Sequence, residues 1–394
     1  MTYDVIIAGA GPAGSTCAHE CAKRGLSALL LDRHRFPRKK PCGGAVAGQA
    51  LAHLGFPLPE ELIEQECFGA IVRIGDHRIA ARSDTRVAVL VSRDRFDDFL
   101  AGKAVQAGAQ FHEGEKVIEV VPLGDIVEVK TDRASYRASY LVGADGVHSV
   151  VARAVRPPLP KDEMALALVG SVAAWGGKEH RDGMLDFHFG VAPLGYGWIF
   201  PHGEYASVGV MGQASKFSDP RGTLLRYARS NGIELGDIHG HFIPFGGFKR
   251  RIVSGRVLLA GDAAGFADAF QGEGIVHAVH SGKLAAQAVA RAVKTGEGRD
   301  ALVCYTRQAD DLIRKDLRRG LFLAKLIDRF PNLSVRIFFH NPRIMESYLE
   351  IPAGRLSYRR FMGLLLLRLP LALLSSFART GFRLRRGPGT LMGD

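Results

Sequence analysis

The chain has 394 residues and a mass of 42.7 kDa, with 47% apolar and 23% charged side chains. That composition excludes disordered, collagenous and fibrous proteins and leaves room for two or three domains or one large composite fold. Five cysteines without a Cys-x-x-Cys pair exclude a disulfide-stapled scaffold and argue against a zinc ribbon. The formal charge of +12 favours an anionic partner, whether nucleic acid, a phosphorylated small molecule or a negative membrane leaflet.

In chain order, Tyr3–Ala8 is a short apolar run that predicts a strand, followed by the turn Gly9-Ala10-Gly11-Pro12-Ala13-Gly14. A helix is predicted from Pro12 to about Arg24, where Gly25 stops it, and Ser27–Leu31 predicts a second strand ending on Asp32. A basic loop (Arg33, Arg35, Arg38, Lys39, Lys40) leads to Pro41-Cys42-Gly43-Gly44. From about Cys67 to Ser92 the pattern is strand-like; Asp94–Ala107 reads as a helix, and strands lead to Tyr140–Gly143. Residues 164–250 are mostly short strands with aromatic and glycine punctuation, and Arg256–Ala260 is a buried-type strand before Gly261-Asp262. Ile275 to about Val293 is a long helix of small residues, and helices dominate from there on. The start Met1-Thr2-Tyr3-Asp4 runs directly into the first strand without a basic leader or a long apolar stretch, so a cytoplasmic location is expected.

The glycine turn follows a strand, opens a helix, and has an acid 18 residues after Gly14 at the end of the next strand. This is the context of a dinucleotide fingerprint. Gly9 permits the tight turn, Gly11 lets a pyrophosphate approach the backbone, and Gly14 lets the helix pack close to the sheet. The helix start offers unpaired N–H groups and a partial positive charge. Asp32, followed by Arg33, is placed to accept ribose hydroxyls. The turn alone does not distinguish FAD from NAD.

The expected architecture is α/β: a Rossmann-like dinucleotide-binding domain, made an FAD-binding domain by the stretches that follow, from residues 1–66, 93–160 and 251–300, a β-rich substrate domain from 67–92 and 161–250, and a helical C-terminal region over 301–394. Three further stretches point to FAD. Gly143-Ala144-Asp145-Gly146-Val147-His148-Ser149-Val150-Val151-Ala152-Arg153 carries a DGxxSxxR pattern. Arg256–Gly265 puts Asp262 at a strand end, where its carboxylate can meet a ribityl hydroxyl, and Ser92-Arg93-Asp94 puts an arginine at a helix start. Together these resemble the FAD-dependent aromatic hydroxylase-like superfamily over roughly the first 300 residues. Lys40-Pro41-Cys42-Gly43-Gly44 and Pro193-Leu194-Gly195-Tyr196-Gly197-Trp198-Ile199-Phe200-Pro201 resemble the geranylgeranyl reductase branch, with its CGG loop and PxxYxWxFP motif. The resemblance implies FAD as cofactor and reduction of double bonds in an isoprenoid chain; NAD(P)H is the expected electron donor, with ferredoxin or another reductant as alternatives. It implies FAD contacts at Ala13, Asp32, Cys42, Gly43, Ala45, Arg93, Asp262, Gly274 and Ile275, with the segment near Val117 toward the adenine. The loop continues Ala45-Val46-Ala47, whereas members of the bacteriochlorophyll pathway often read Ala-Ile-Pro, so chlorophyll biosynthesis is not assigned.

An isolated alkene has no carbonyl to take up developing charge, so its reduction needs a dry, apolar, aligned site. Tyr196, Trp198 and Phe200 alternate on one strand and project from one face as a wall for a prenyl chain; sheet core is the commoner fate of alternating aromatics. Cys42 in its Pro/Gly loop is a candidate for shaping or protonating the alkene site beside Tyr196 and Trp198, or else a small residue in a tight turn. Cys17 and Cys21, four apart, read as a buried helix face.

From Ala353 to Asp394 eight arginines face one acid, so +7 of the charge lies there. The apolar stretch Phe361–Leu374 is broken by Arg368 and Pro370 and is too short to span a bilayer. It reads either as an interfacial helix on anionic lipid, on the inner membrane surface, or as a helix pair packed on the protein. Two other functions compete. A monooxygenase or halogenase of the same superfamily would use the fold for oxygen chemistry, although the halogenase WxWxIP pattern is matched only at Trp198 and Pro201. A nucleic-acid-binding protein has only charge in its favour, with no recognition motif, so no nucleic-acid partner is expected.

Overall fold

The computed structural model describes residues 2–173, 183–331, 333, 334, 337 and 341–367. Thr2–Ala8 forms a central strand because its second half, Val5–Ala8, is entirely apolar and can be covered on both faces; all four residues are buried. It pairs in parallel with Ala28–Asp32 on one side and Ser135–Gly143 on the other. Gln110–Glu113 and Val257–Leu259 extend the parallel sheet outward. The antiparallel strands Val117–Leu123 and Ile126–Thr131 branch from the first half of Ser135–Gly143.

The helix Pro12–Lys23 starts with proline at its first position, where the missing N–H costs nothing, and its buried face includes Cys17 and Cys21. Gly9 has φ +96°, and a side chain there would place Cβ 2.4 Å from the Ala144 carbonyl oxygen. At Gly14 a Cβ would lie 1.8 Å from the Gly9 carbonyl oxygen, so this helix can rest on its turn only with glycine there. The helix packs against the long Ile275–Thr295 helix on the same face of the sheet.

A second sheet has seven strands, in the order His239–Pro244, Met164–Ala173, Tyr205–Gln213, Tyr196–Pro201, Met184–Phe189, Gly69–Ile74 and His77–Arg82. All neighbours are antiparallel except the pair Met184–Phe189 and Gly69–Ile74. A small third sheet joins Ala45–Ala47, Ala88–Leu90 and Gln65–Cys67. It places the segment after Gly44 beside the chain that leads into the helix Arg93–Gln106. The structure is α/β, as expected.

Two elements differ from the sequence expectation. The stretch 164–250 contains a helix, Pro220–Ser230, capped by the Asp219 carboxylate accepting from the Gly222 amide at 2.9 Å. A second helix, Gly48–Leu54, follows the Cys-Gly-Gly loop where no element was expected. Beyond Thr295 the chain is helical through Gly298–Ala309, Lys315–Arg329 and Pro342–Leu349, and again over 358–367. This last helix buries Tyr358 and Phe361, whereas Leu366 and Leu367 are 69% and 76% exposed. Positions 368–374 of the predicted interfacial stretch, with most of the tail arginines, lie outside the described residues. Among the described residues no helix is long and apolar enough to cross a membrane.

Candidate active site

A cavity of about 520 Å³ runs from the glycine turn of the first sheet to the face of the second. Gly9, Gly11, Ala13, Asp32 and Arg33 line one end; Cys42, Gly43, Ala45, Arg93, Asp262, Gly274 and Ile275 line the middle; Tyr196, Trp198 and Phe200 line the far end. Val117 also lines it, on the side of Asp32. Of the candidate cofactor, catalytic and substrate residues, Gly14 alone does not line the cavity; it lies beneath the turn, against Gly9.

The first end is shaped for an anion with a long backbone contact. A Cβ built on Gly11 meets nothing nearer than the Arg38 guanidinium at 3.6 Å, so the absent side chain leaves open cavity above the helix start. Arg33, Arg38, Lys39, Lys40 and Arg93 all line this half. Asp32 is already engaged: Oδ2 accepts from the Ala10 amide and Oδ1 from the His34 amide, both at 2.8 Å. It therefore holds the turn as well as facing the cavity, and its remaining lone pairs are free to accept a hydroxyl. Asp145, in the DGxxSxxR stretch, spends its carboxylate on Ser149 and on the amides of Val150 and Val151.

In the middle, Arg93 makes a two-pronged pair with the fully buried Asp97 at 2.9 Å for each contact, and Arg38 reaches the same carboxylate at 2.9 Å. Burial works against the Arg93 charge, but Asp97 first and Cys42 after it outweigh burial and raise the guanidinium above the ordinary arginine range. Lys40 hydrogen-bonds His241 Nε2, which lies 3.7 Å from Asp262 Oδ2. Burial brings the Lys40 ammonium down to about 8, against the opposing pull of Asp262. Burial raises the Asp262 carboxyl, but His241, Lys40 and Arg93 outweigh it and hold the group below the usual carboxylate range.

The Cys-Gly-Gly loop is pinned from beneath. His202 contacts the Gly43 carbonyl oxygen through Nε2 at 3.0 Å and Glu64 through Nδ1 at 2.6 Å, and stacks on Tyr205. A Cβ on Gly43 would come within 2.9 Å of the Phe200 ring and 3.1 Å of Trp198 Nε1, so the loop is pressed onto the aromatic wall. That wall is one packed cluster: Phe187 meets Tyr196 and Phe200 edge-on at 5.4 and 5.2 Å, and Trp198 bridges the latter two. Trp198 Nε1 donates to Ser207 Oγ at 3.3 Å, and Tyr196 Oη donates to the Gln271 carbonyl at 2.6 Å. With these polar tips satisfied, the rings present carbon to the cavity, alongside Leu185, Met211 and Ile243.

Residues 2–176 match the FAD binding domain family model. Digeranylgeranylglycerophospholipid reductase 2 of Methanothermobacter thermautotrophicus is 30% identical over 351 residues, covering 83% of this chain and 88% of that protein. The chain belongs to the geranylgeranyl reductase family of FAD-dependent oxidoreductases. The fold agrees: a geranylgeranyl bacteriochlorophyll reductase-like protein from Thermoplasma acidophilum superposes with a TM-score of 0.81 at 22% identity, over 95% of this chain and 98% of the other. The flavin-dependent brominase Bmp2, as a triple mutant, superposes with a TM-score of 0.70 at 22% identity, over 89% and 94%. The chain thus shares its scaffold with a flavin-dependent brominase as well as with a reductase-like protein, and the scaffold alone does not choose between their chemistries.

Sequence patterning alone assigns no individual role to Lys40, His241, His202, Glu64, Glu273 or Tyr348. His202 and Glu64 hold the Cys-Gly-Gly loop, and the other four line the cavity. Lys40 heads the Lys40–Gly44 motif, and Glu273 lies in Gly272-Glu273-Gly274, so both carry a local signal. His241 is a lone histidine on an edge strand and has none.

Proposed function

We propose that the protein is an FAD-dependent reductase that saturates isolated carbon–carbon double bonds of an isoprenoid chain, with NAD(P)H as the electron donor. The observation that carries this reading is the single cavity with a cationic, glycine-floored end and an aromatic, carbon-lined end. Gly9, Gly11 and Ala13 would hold the pyrophosphate at the helix start, Asp32 and Arg33 the ribose side, and Arg93, Asp262, Gly274 and Ile275 the ribityl and ring portion. Cys42, Gly43 and Ala45 would line its substrate-facing side. FAD, when bound, supplies the reducing equivalents and takes them from the nicotinamide donor.

The chain's own part is orientation and exclusion of water. Phe187, Tyr196, Trp198 and Phe200 form a wall against which a prenyl chain can lie extended, losing apolar surface to carbon on every side. The Cys-Gly-Gly loop, fixed by His202 and Glu64, closes the space between this wall and the cofactor end. A lipid-like substrate must reach this cavity from a membrane. The exposed Leu366 and Leu367 follow Arg359 and Arg360 on one short helix, which suits contact with an anionic bilayer surface.

The test is anaerobic turnover of the yellow, FAD-loaded protein with a panel of prenyl diphosphates, prenylated quinones and prenyl glycerolipids, read by mass spectrometry. A gain of two hydrogens per double bond is expected. A product that gains oxygen or halogen, formed only in air, would assign the chain to the oxygen chemistry of its structural neighbours. A protein that takes up no flavin would remove both.

A further inference from the structure

Saturating an alkene takes a proton as well as a hydride equivalent, and the carbon-lined end of the cavity holds few groups able to give one. The loop Gln271–Gly274 closes this end between the two halves of the site. A Cβ on Gly272 would lie 2.2 Å from Tyr196 Oη, and one on Gly274 would lie 3.5 Å from Asp262 Oδ1. Glu273 lies between them, lines the cavity, and has a buried Oε1 with no hydrogen-bond partner. On the reductase reading above, we propose that Glu273 is the acid that protonates the alkene.

The groups that act on this carboxyl are Asp268, Tyr196, Tyr348 and Tyr358, with the amides of Ala47 and Val276. No cation is among them. Burial, reinforced by Asp268, pushes Glu273 up to about 8, and the two amides only partly offset this. The carboxyl therefore carries its proton at neutral pH, as a catalytic acid in an apolar site must. The alternatives are poorer. Tyr196 commits its proton to the Gln271 carbonyl, and burial raises both Tyr196 and Tyr348 well above an ordinary phenol.

The step balances as follows. The alkene accepts a hydride equivalent from the reduced flavin at one carbon, forming a C–H bond as the flavin loses two electrons. The π pair takes the Glu273 proton at the other carbon, breaking O–H and forming the second C–H bond. Water then reprotonates the carboxylate.

Glu273→Gln keeps the size and polarity but removes the acid. FAD binding and thermal stability are expected to match wild type. Infrared spectra of the protein without substrate, at pH 7, are expected to show a protonated-carboxyl C=O band in wild type that the variant lacks. Anaerobic reoxidation of reduced flavin by a geranylgeranyl substrate is expected to slow about 100-fold or more, with Glu273→Asp recovering part of the rate. The wild-type rate should fall as pH rises through about 8. Reoxidation of Glu273→Gln at the wild-type rate, or absence of the protonated band from wild type, overturns the role of Glu273 alone. A wild type that reduces no prenyl compound sinks the reductase reading and this role with it.

Discussion

Gly11 and Gly14 are three residues apart in one motif, yet the structure gives them opposite kinds of importance. Gly11 has φ −75° and ψ −176°, an extended conformation open to any L-residue, and an alanine Cβ there would meet only the Arg38 guanidinium at 3.6 Å. Gly11→Ala is therefore expected to leave the FAD-free protein as stable as wild type, or more stable by about 0.4–1 kcal/mol through the unfolded chain. Its methyl group would occupy the space that a pyrophosphate needs. Losing one or two charge-assisted hydrogen bonds to helix-start amides, at about 1.5–3 kcal/mol each, weakens FAD by about 10- to 10⁴-fold. Gly14→Ala puts a Cβ 1.8 Å from the Gly9 carbonyl oxygen, about half an ordinary contact distance. The helix would have to lift off its turn, at a cost of about 1–3 kcal/mol or more to the FAD-free fold. Thermal melts of the FAD-free proteins and fluorescence titrations with FAD separate the two effects. Gly11→Ala binding FAD within a few-fold of wild type would refute the assignment of the turn as a phosphate cradle.

Asp97 is fully buried and neutralises two arginines, so Asp97→Asn leaves Arg38 and Arg93 facing a neutral amide. A loss of about 3–5 kcal/mol in urea unfolding is expected, and a loss under 1 kcal/mol would show that water or another anion takes over the pairing. His53 and His280 stack with ring centres 4.3 Å apart beside His277, and burial lowers His277 to about 3 and His280 to about 4. In the unfolded chain these rings titrate near 6.5, so the unfolded state binds more protons between about pH 6.5 and pH 4, and stability falls as pH drops through that window. At pH 5 the pair costs up to about 4 kcal/mol relative to pH 7.5, and His277→Gln should remove about half of that difference. An unchanged difference between the two pH values in that variant would mean that other groups drive the acid loss.

Strands and helices whose apolar residues follow one period over several positions were legible. Val5–Ala8, Leu29–Leu31 and Leu141–Val142 are continuous apolar runs, and such runs are what a parallel sheet covered on both faces requires. The helix Pro220–Ser230 was missed, although Asp219-Pro220 is a capping signal. Its buried face is only Leu224, Tyr227 and Ala228, too narrow to stand out within a stretch whose other residues alternate. The helix Gly48–Leu54 buries just Ala50 and Leu54 and is held by its neighbours more than by its own pattern.

The site divides along the same line. Gly9, Gly11, Gly14 and Asp32 could be read because close approach of backbone to backbone, or of backbone to ligand, restricts residue type within one short segment. The pairs that complete the site are set by chain crossings that leave no local trace: Lys40 meets His241 across 201 positions, and His202 reaches Gly43 across 159. Each pair joins the loop after Asp32 to the second sheet, His241 from within the strand His239–Pro244 and His202 from just past the end of Tyr196–Pro201. The loop is therefore fixed relative to the aromatic wall by groups on the wall's own sheet. Whatever lies on the glycine turn is thereby aligned with whatever lies on the rings. An insertion in residues 33–39 would shift the loop while sparing both sheets, and it should lower turnover by more than FAD affinity, because the glycine turn and Asp32 stay in place while their alignment with the rings is lost; equal losses of both would show that the loop only binds the cofactor.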